Sequence, residues 1–523
     1  MKLTLIQENP IVGDIQGNIA LVKKHWQNAE SDLLIFSELF ICGYPPEDLI
    51  LRDDFITDIE VAMQDLQAFS QNQNAAILIG TPVKDHNGLY NATLTIHKGK
   101  IIHQCYKREL PNYGVFDEKR LFTPATDASI LDFKGVKIGI QICEDIWFTH
   151  QTNQLNELGA ELHIVLNGSP YTIDKKEQRL ELAKAISRPM IYVNQIGGQD
   201  ELVFDGGSFA LNSKGEMVCA LPSFETNTAT IEFDKDFNNT PIRSLPHDSL
   251  SELYTALVLG LKDYIRKNGF RNGVILGMSG GIDSALSAAI AADALGADKV
   301  RAIMMPSPYT SQESLEDAAA CAKALGISYE IIPIQIGMTA LEQSIEDLKG
   351  LAHENMQSRL RGLILMSLSN TTGEMVLTTG NKSEVAVGYS TLYGDMCGGF
   401  NALKDIYKTE VYALAHWRNS QSQVIPMRII TKAPTAELRD NQKDQDSLPA
   451  YEILDGILTR LIEQNLDIET IVAQGYNKDD VEKTWILLNR AEYKRRQAAP
   501  GVKITSKSFG RDRRYPITNK YKG

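Results

Sequence analysis

The stretch Ile275–Leu295, ILGMSGGIDSALSAAIAADAL, constrains the fold more than any other part of the 523-residue chain. It opens with an apolar run suited to a strand, turns through Ser279-Gly280-Gly281 and continues as a helix. A strand that feeds a helix through a glycine turn is the building unit of a parallel α/β sheet. It is also an anion site in waiting, because N–H groups at a helix N-terminus lack partners and glycine lets the backbone approach a phosphate. The phosphate loop of ordinary nucleotide hydrolases needs G-x-x-x-x-G-K-[ST], and this turn has no lysine. The phosphate chemistry it predicts is therefore of another kind.

The same alternation extends on both sides. Beyond residue 245, GVILGMSG, KVRAIMMP, SYEIIPI and EMVLTTGN read as strands separated by helices such as SLEDAAACAKALG, which predicts a doubly wound parallel sheet. From about Ala433 the chain is helical and polar, and it ends in a basic run. Upstream, Leu3–Gln7, Leu33–Glu38, Ala75–Val83, Val136–Asp145, Leu162–Asn167 and Met190–Gly198 are strand-like, several of them apolar throughout, as when both faces are covered. Asn91–Ile102 reads as a hairpin with its turn at Lys98-Gly99. NIALVKKHWQNAE and EQRLELAKAIS read as amphipathic helices. DFNNTPIRSLPHDS lacks periodicity and carries two prolines, so the domain boundary is set at about 245, giving domains 1–245 and 246–523.

A net charge of −13 argues against a general nucleic-acid binder. With no run of 18 apolar residues and no leader-like start, a cytoplasmic protein without a membrane span is expected. The six cysteines are widely spaced, with neither a zinc pattern nor a disulfide framework, and Cys42, Cys105, Cys219 and Cys321 read as small buried hydrophobes.

SGGIDS (Ser279–Ser284) resembles the pyrophosphate-binding loop of the N-type ATP pyrophosphatases, which cut ATP between its α and β phosphates and adenylate an oxygen of the acceptor. MPSPYTSQES, ENMQSRLRG, TTGNKSE, GYSTLYGD and KAPTAELRDNQKDQDSLPAYEILD follow in order and resemble the NAD synthetases. That resemblance implies an ATP site of Gly277, Met278, Ser279, Gly280, Gly281, Ile282, Asp283, Ser284, Thr379, Lys408 and Thr435. It implies a site for nicotinic acid adenine dinucleotide at Asn355, Arg359, Glu384, Asp395 and Lys494, with Asp283 and Glu384 as ligands of Mg²⁺. Hard cations suit carboxylate and phosphate oxygens. One departure stands out: Leu392 occupies a place where related ammonia-dependent enzymes carry a dinucleotide-contacting lysine.

In the first half, FSELFICGYPPEDL, KRELPNYGVFDEKRLF and IGIQICEDIW resemble the nitrilase family, which implies an α-β-β-α sandwich and a catalytic set of Glu38, Lys107 and Cys143. A thiol with an ordinary pKa near 8.5 needs a base or cation to act as a nucleophile. Glu38 suits the base, Lys107 the stabiliser of a tetrahedral oxyanion, and Cys143 an exposed nucleophile at a strand end. In glutamine-using members Tyr113, Ser169 and Lys175 would position the amino acid.

Together these segments resemble the glutamine-dependent NAD synthetases over nearly the whole chain. The resemblance implies glutamine, ATP and the dinucleotide as substrates and a homo-oligomer. Two rivals are another glutamine amidotransferase of the ATP pyrophosphatase class and a decayed nucleotide-binding scaffold. Lys2 after Met1, with no GxCxG elbow, argues against the GMP and asparagine synthetase types, and the intact motifs argue against decay.

Overall fold

A computed structural model describes residues 1–27, 29–241, 248–440 and 442–521. The chain divides into two compact units, Met1–His247 and Asp248–Gly523. The boundary expected at about 245 lies outside the described residues. Among the described residues no helix is long and apolar enough to cross a membrane.

The first unit holds two six-stranded sheets. One comprises β1 (Lys2–Gln7), β2 (Leu33–Ile35), β3 (Ala76–Lys84), β4 (Leu89–His97), β5 (Lys100–Tyr106) and β14 (Asn227–Glu232), in the order β14-β1-β2-β3-β4-β5. The other comprises β6 (Ile130–Phe133), β7 (Val136–Ile142), β8 (Leu162–Asn167), β9 (Met190–Asn194), β12 (Phe209–Leu211) and β13 (Met217–Ala220), in the order β13-β12-β9-β8-β7-β6. A hairpin, β10 (Ile196–Gln199) with β11 (Leu202–Asp205), stands apart.

Strand alternation explains why the runs are apolar throughout. Leu3, Leu5, Leu33, Ile35 and Leu78 meet Ile138, Ile140, Ile164, Leu166 and Val193 between the sheets. Ile6, Leu34, Ile77 and Ile79 face outward onto the helices Ile15–Gln27 and Asp53–Ser70. On the far side, Val165, Tyr192 and Phe209 pack beneath the helix Lys175–Ala185. The result is the expected α-β-β-α sandwich. Three strands differ from expectation. Leu33–Glu38 ends at Ile35, ahead of Glu38. Val136–Asp145 stops at Ile142, where a 3₁₀ turn Cys143–Trp147 begins, and Met190–Gly198 breaks after Asn194 into β9 and β10.

The second unit contains one parallel sheet of β15 (Val274–Gly277), β16 (Val300–Met304), β17 (Ser328–Ile331), β18 (Met375–Thr378) and β19 (Phe400–Asn401), ordered β17-β16-β15-β18-β19. The order reverses beside β15, so a crevice opens at the carboxyl end of the strand that feeds the glycine turn. Ile275, Ile303 and Val376 pack on one face against Met356 and Leu365 of the helix Leu351–Thr372. A separate apolar cluster joins the helices Tyr451–Ile462 and Lys478–Arg490 through Leu454, Leu458, Val481 and Leu488. The basic C-terminal run is largely spent internally. Lys503 pairs with Asp512 at 2.7 Å, and Arg495 and Arg513 both pair with the buried Glu492.

Candidate active sites

In the first unit the expected catalytic set converges. Glu38 follows β2, Lys107 follows β5 and Cys143 follows β7, so three strand ends deliver three side chains to one place. The Lys107 ammonium lies 2.7 Å from Glu38 Oε1 and 2.8 Å from Glu118 Oε2, and all three residues are buried. Asn91 Nδ2 donates to Glu38 Oε1 at 2.8 Å and the Gly168 N–H donates to Glu38 Oε2 at 2.7 Å. A Cβ at Gly168 would stand 2.8 Å from the Tyr44 ring, so only glycine brings that N–H so close. Tyr44 donates to Glu118 Oε1 at 2.9 Å.

Burial opposes a charge on Lys107, yet the Glu118 and Glu38 carboxylates outweigh it and hold the ammonium well above its ordinary range. Burial pushes Glu118 up to about 7 against the pull of Lys107. Cys143 is 5% exposed, which corrects the expectation of an exposed nucleophile. Burial, then the charge of Glu38, pushes its thiol well up despite the opposing charge of Lys107. Its φ of +44° is a strained backbone conformation for a residue with a Cβ, costing about 1–3 kcal/mol. Strain of that kind persists where the surroundings over-determine the turn. Around it, Tyr113 donates to both oxygens of Glu144 at 3.0–3.1 Å, and the Lys175 ammonium sits 4.0 Å from the Trp147 ring centroid. Ser169 Oγ accepts from the buried Arg179, itself paired with Asp205 at 2.7 Å.

In the second unit the glycine turn is organised by its own serines. Ser284 Oγ accepts from the Ser279 N–H and donates to the Gly281 carbonyl, and Ser279 Oγ accepts from the Gly281 N–H. Gly280 has φ +81° and a Cβ there would stand 2.5 Å from the Ser314 carbonyl, so this position admits only glycine. The turn opens the helix Ile282–Leu295 and borders two cavities. Gly277, Met278, Ser279, Asp283, Ser284, Thr379, Glu384, Asp395 and Thr435 are among those lining a cavity of about 280 Å³. Gly280, Gly281, Ile282, Asp283, Glu384, Asp395, Lys408 and Thr435 help line a second of about 170 Å³. The buried Lys408 ammonium donates to Asp283 Oδ2 and lies 3.4 Å from Glu384, while Asn381 Nδ2 donates to Asp283 Oδ1 at 2.8 Å. Burial pushes Glu384 up to about 8, with Asp283 and Asp444 adding to the rise and Lys408 opposing it. Among the described residues no three His, Cys, Asp or Glu side chains form a complete metal cage. A pair of carboxylates beside a polyphosphate-sized crevice fits a cation that takes its remaining ligands from phosphate oxygens and water.

Comparison with known proteins matches residues 2–240 to the carbon-nitrogen hydrolase family and 253–498 to the NAD synthase family. The glutamine-dependent NAD(+) synthetase of Acinetobacter baylyi is 45% identical, covering 99% of this chain and 98% of the relative. That of Thermotoga maritima is 42% identical over 100% and 99%. A solved structure of the Acinetobacter baumannii glutamine-dependent NAD+ synthetase, in complex with ADP, superposes with a TM-score of 0.79 at 43% identity, covering 99% of this chain and 98% of that one. The chain belongs to the glutamine-dependent NAD(+) synthetases. It is a carbon–nitrogen ligase carrying a nitrilase-like unit and an NAD synthase unit.

Within this synthetase the expected dinucleotide residues are the least assembled. Asn355 accepts from Thr391 Oγ1, Arg359 donates to the Leu392 carbonyl, and Lys494 donates to the carbonyls of Gly388 and Ser390. These three gather around the 388–395 segment rather than lining either cavity, which Glu384 and Asp395 do. Sequence reasoning missed Glu118, Asn91 and Glu144 in the first unit. Glu118 sits inside DEKR, a run that reads as a solvated surface. It also missed Arg361, Lys432 and Glu437 in the second. Arg361 lines the larger cavity, where burial draws its guanidinium down to about 10, and Lys432 is tied to Glu437 and Ser314 at 2.9 and 2.7 Å.

Proposed function

We propose that the synthetase hydrolyses glutamine at Cys143, Glu38 and Lys107 in an amidohydrolase domain, and uses the ammonia at an ATP-dependent site around Ser279–Ser284. The observation that carries this reading is the buried Lys107 ammonium between two carboxylates beside a cysteine in a strained backbone conformation. Glu38 takes the thiol proton as Sγ attacks the carboxamide carbon, and Lys107 stabilises the oxyanion. Glu38 then delivers that proton to the leaving nitrogen, and water releases glutamate from the thioester. Tyr113, Ser169 and Lys175, with Glu144, supply polar and charged groups for the amino-acid end of glutamine.

In the second unit the carboxylate of nicotinic acid adenine dinucleotide attacks the α-phosphorus of ATP, releasing pyrophosphate. Ammonia then displaces AMP to leave the nicotinamide. The ADP of the A. baumannii relative supports a nucleotide in the cavity lined by Gly277–Ser279 and Thr379. Asp283 and Glu384 would hold Mg²⁺, which supplies charge neutralisation for the phosphates. Lys408 and Thr435 flank the phosphates, and Asn355, Arg359, Glu384, Asp395 and Lys494 are assigned to the dinucleotide. Free thiols at Cys42, Cys105, Cys143, Cys321 and Cys397 and the ATP requirement fit a cytoplasmic enzyme. Exposed Ile336, Leu351 and Leu363 fit a homo-oligomer.

The test is Cys143→Ala. Glutamine-driven NAD synthesis should vanish while ammonium-driven synthesis persists, and loss of both in a folded variant would refute the division of labour.

A further inference from the structure

Two residues beyond Cys143, the 3₁₀ turn carries a second carboxylate, Asp145, which is fully buried. Oδ1 accepts from the backbone N–H groups of Arg108 and Glu109 at 3.0 and 2.8 Å, and Oδ2 accepts from the Ile142 N–H at 3.0 Å. The two segments it joins are the one leaving Lys107 and the one entering Cys143. Lys107 is tied on its other side, where its N–H donates to the Asn91 carbonyl at 2.8 Å and its carbonyl accepts from Ala125 at 3.0 Å. With both Asp145 oxygens engaged by backbone donors, the carboxylate is poorly disposed to take a proton from substrate.

We propose that Asp145 is a positioning residue for glutamine hydrolysis. Its carboxylate clasps the segment after Lys107 to the strand end before Cys143 and so fixes the ammonium against the sulfur and the oxyanion it must meet. The proposal rests on the assignment of Cys143, Lys107 and Glu38 to the hydrolytic site. Three features agree with it. A charge taken out of water is worth keeping only where several donors meet it, and here three backbone N–H groups do. The positive φ of Cys143 needs its flanks held, and one flank is the Ile142 N–H. Other ties on this segment are made by side chains: Arg108 donates to Gln154 and Gln151 donates to Glu109, so the segment stays attached when the clasp is removed while its register to Cys143 is lost.

Asp145→Asn keeps one oxygen for Arg108 and Glu109 but turns an amide NH₂ toward the Ile142 N–H, donor against donor. Displacement of catalytic groups by about 1 Å costs on the order of 10²-fold. The variant should therefore lose about 10²-fold in kcat for glutamine hydrolysis with KM for glutamine changed by less than about threefold. Ammonium-driven NAD synthesis should be retained. A second readout is alkylation of Cys143 by iodoacetamide as a function of pH. The profile should move to higher pH as Lys107 loses its fixed position, whereas a residue that only props the fold would lower the melting temperature and leave the profile in place. In a double-variant cycle with Lys107→Met, the kcat losses should fail to multiply, because both act on one group.

Wild-type kcat in Asp145→Asn, an unmoved alkylation profile, or fully multiplying losses would overturn the clasp. Glutaminase activity in Cys143→Ala would overturn the underlying assignment instead, so the two failures are distinguishable. Should Asp145→Asn not fold, hydrogen exchange on the wild-type enzyme decides. The Arg108 and Glu109 amides should exchange as slowly as that of Ile142, and exchange at the rate of an open loop would refute the clasp.

Discussion

Lys107→Met removes the charge from between Glu38 and Glu118 while nearly preserving the side-chain volume, and it separates two roles that one residue combines. Both carboxylates lie within 2.8 Å of the same ammonium and neither has water to turn to. Stripping one partner from a buried ion pair costs about 3–5 kcal/mol, because a charge is left uncompensated. At about 2–4 °C per kcal/mol for a unit of this size, the first unit should melt on the order of 6–20 °C lower. Loss of the oxyanion donor should separately cost about 10²–10³ in glutaminase kcat. The decisive comparison is Lys107→Met/Glu118→Gln, which restores charge balance without restoring a cation. Calorimetry should find most of the lost melting temperature recovered, while a coupled glutamate assay finds hydrolysis still depressed. Recovery of glutaminase to within about tenfold of wild type would mean that Lys107 serves only to balance Glu118, and the oxyanion role would fall. An unshifted melting temperature in the single variant would refute the reasoning from buried charge.

Glu38→Gln places an amide NH₂ against Lys107 or Gly168 and removes the base, so glutamine hydrolysis should drop by about 10²–10⁴; near-normal turnover would reassign Glu38 to structure. Asp283→Ala should abolish AMP release from ATP even with ammonium supplied, while glutamine hydrolysis persists. Asp283 bonds Lys408 and Asn381 and makes no cap bond to its helix, so normal AMP release with a lower melting point would leave it a purely structural role. His163 is buried and neutral, its pKa drawn by burial from 6.5 to about 4. The unfolded chain thus binds that proton more readily, and stability present above pH 6.5 is lost as the pH falls toward 4, by about 3 kcal/mol in total. Against wild type, His163→Leu should show a flatter urea midpoint over that range, and parallel curves would count against the shift.

What the sequence made legible follows from what kind of physics each feature carries. Apolar runs at strand length require cover on both faces, so buried strands such as Leu162–Asn167 and, beyond residue 245, the parallel sheet around Ile275–Gly277 were readable from the pattern, whereas the sandwich was implied by the nitrilase resemblance of the motifs around Glu38, Lys107 and Cys143. Gly280 was readable as part of the SGGIDS turn, and the structure adds that a left-handed backbone against the Ser314 carbonyl admits one residue type. The burial of Cys143 was not readable, because its strand ends one step earlier than the apolar pattern and the thiol turns inward under Glu38 and Lys107. Glu118 and Asp145 were invisible for a related reason. A carboxylate in DEKR or CEDIW has no periodicity that separates a buried partner from a solvated one, since its role depends on which distant backbone or ammonium the fold brings to it.

The two units solve that problem in the same way. Lys107 sits between Glu38 and Glu118, and Lys408 between Asp283 and Glu384, each lysine buried and each flanked by two acids on different elements. A lone buried ammonium would shed its proton; a second carboxylate overcomes the desolvation cost and keeps the charge in place. It does so at the expense of packing, since an apolar trio of similar volume is often as stable or more so. In the two assigned sites the fixed charge would face an oxyanion in one unit and polyphosphate in the other, whereas Lys382, buried between Asp405 and Glu463, is held in the same way with no reaction assigned to it. In the first unit one of the acids that hold the lysine, Glu38, is also the group assigned to the proton, and in the second both acids are assigned to the cation. Charge balance and reactivity are thus written in the same side chains, which is why single substitutions there should change stability and turnover together, and why paired substitutions that restore charge are needed to tell the two apart.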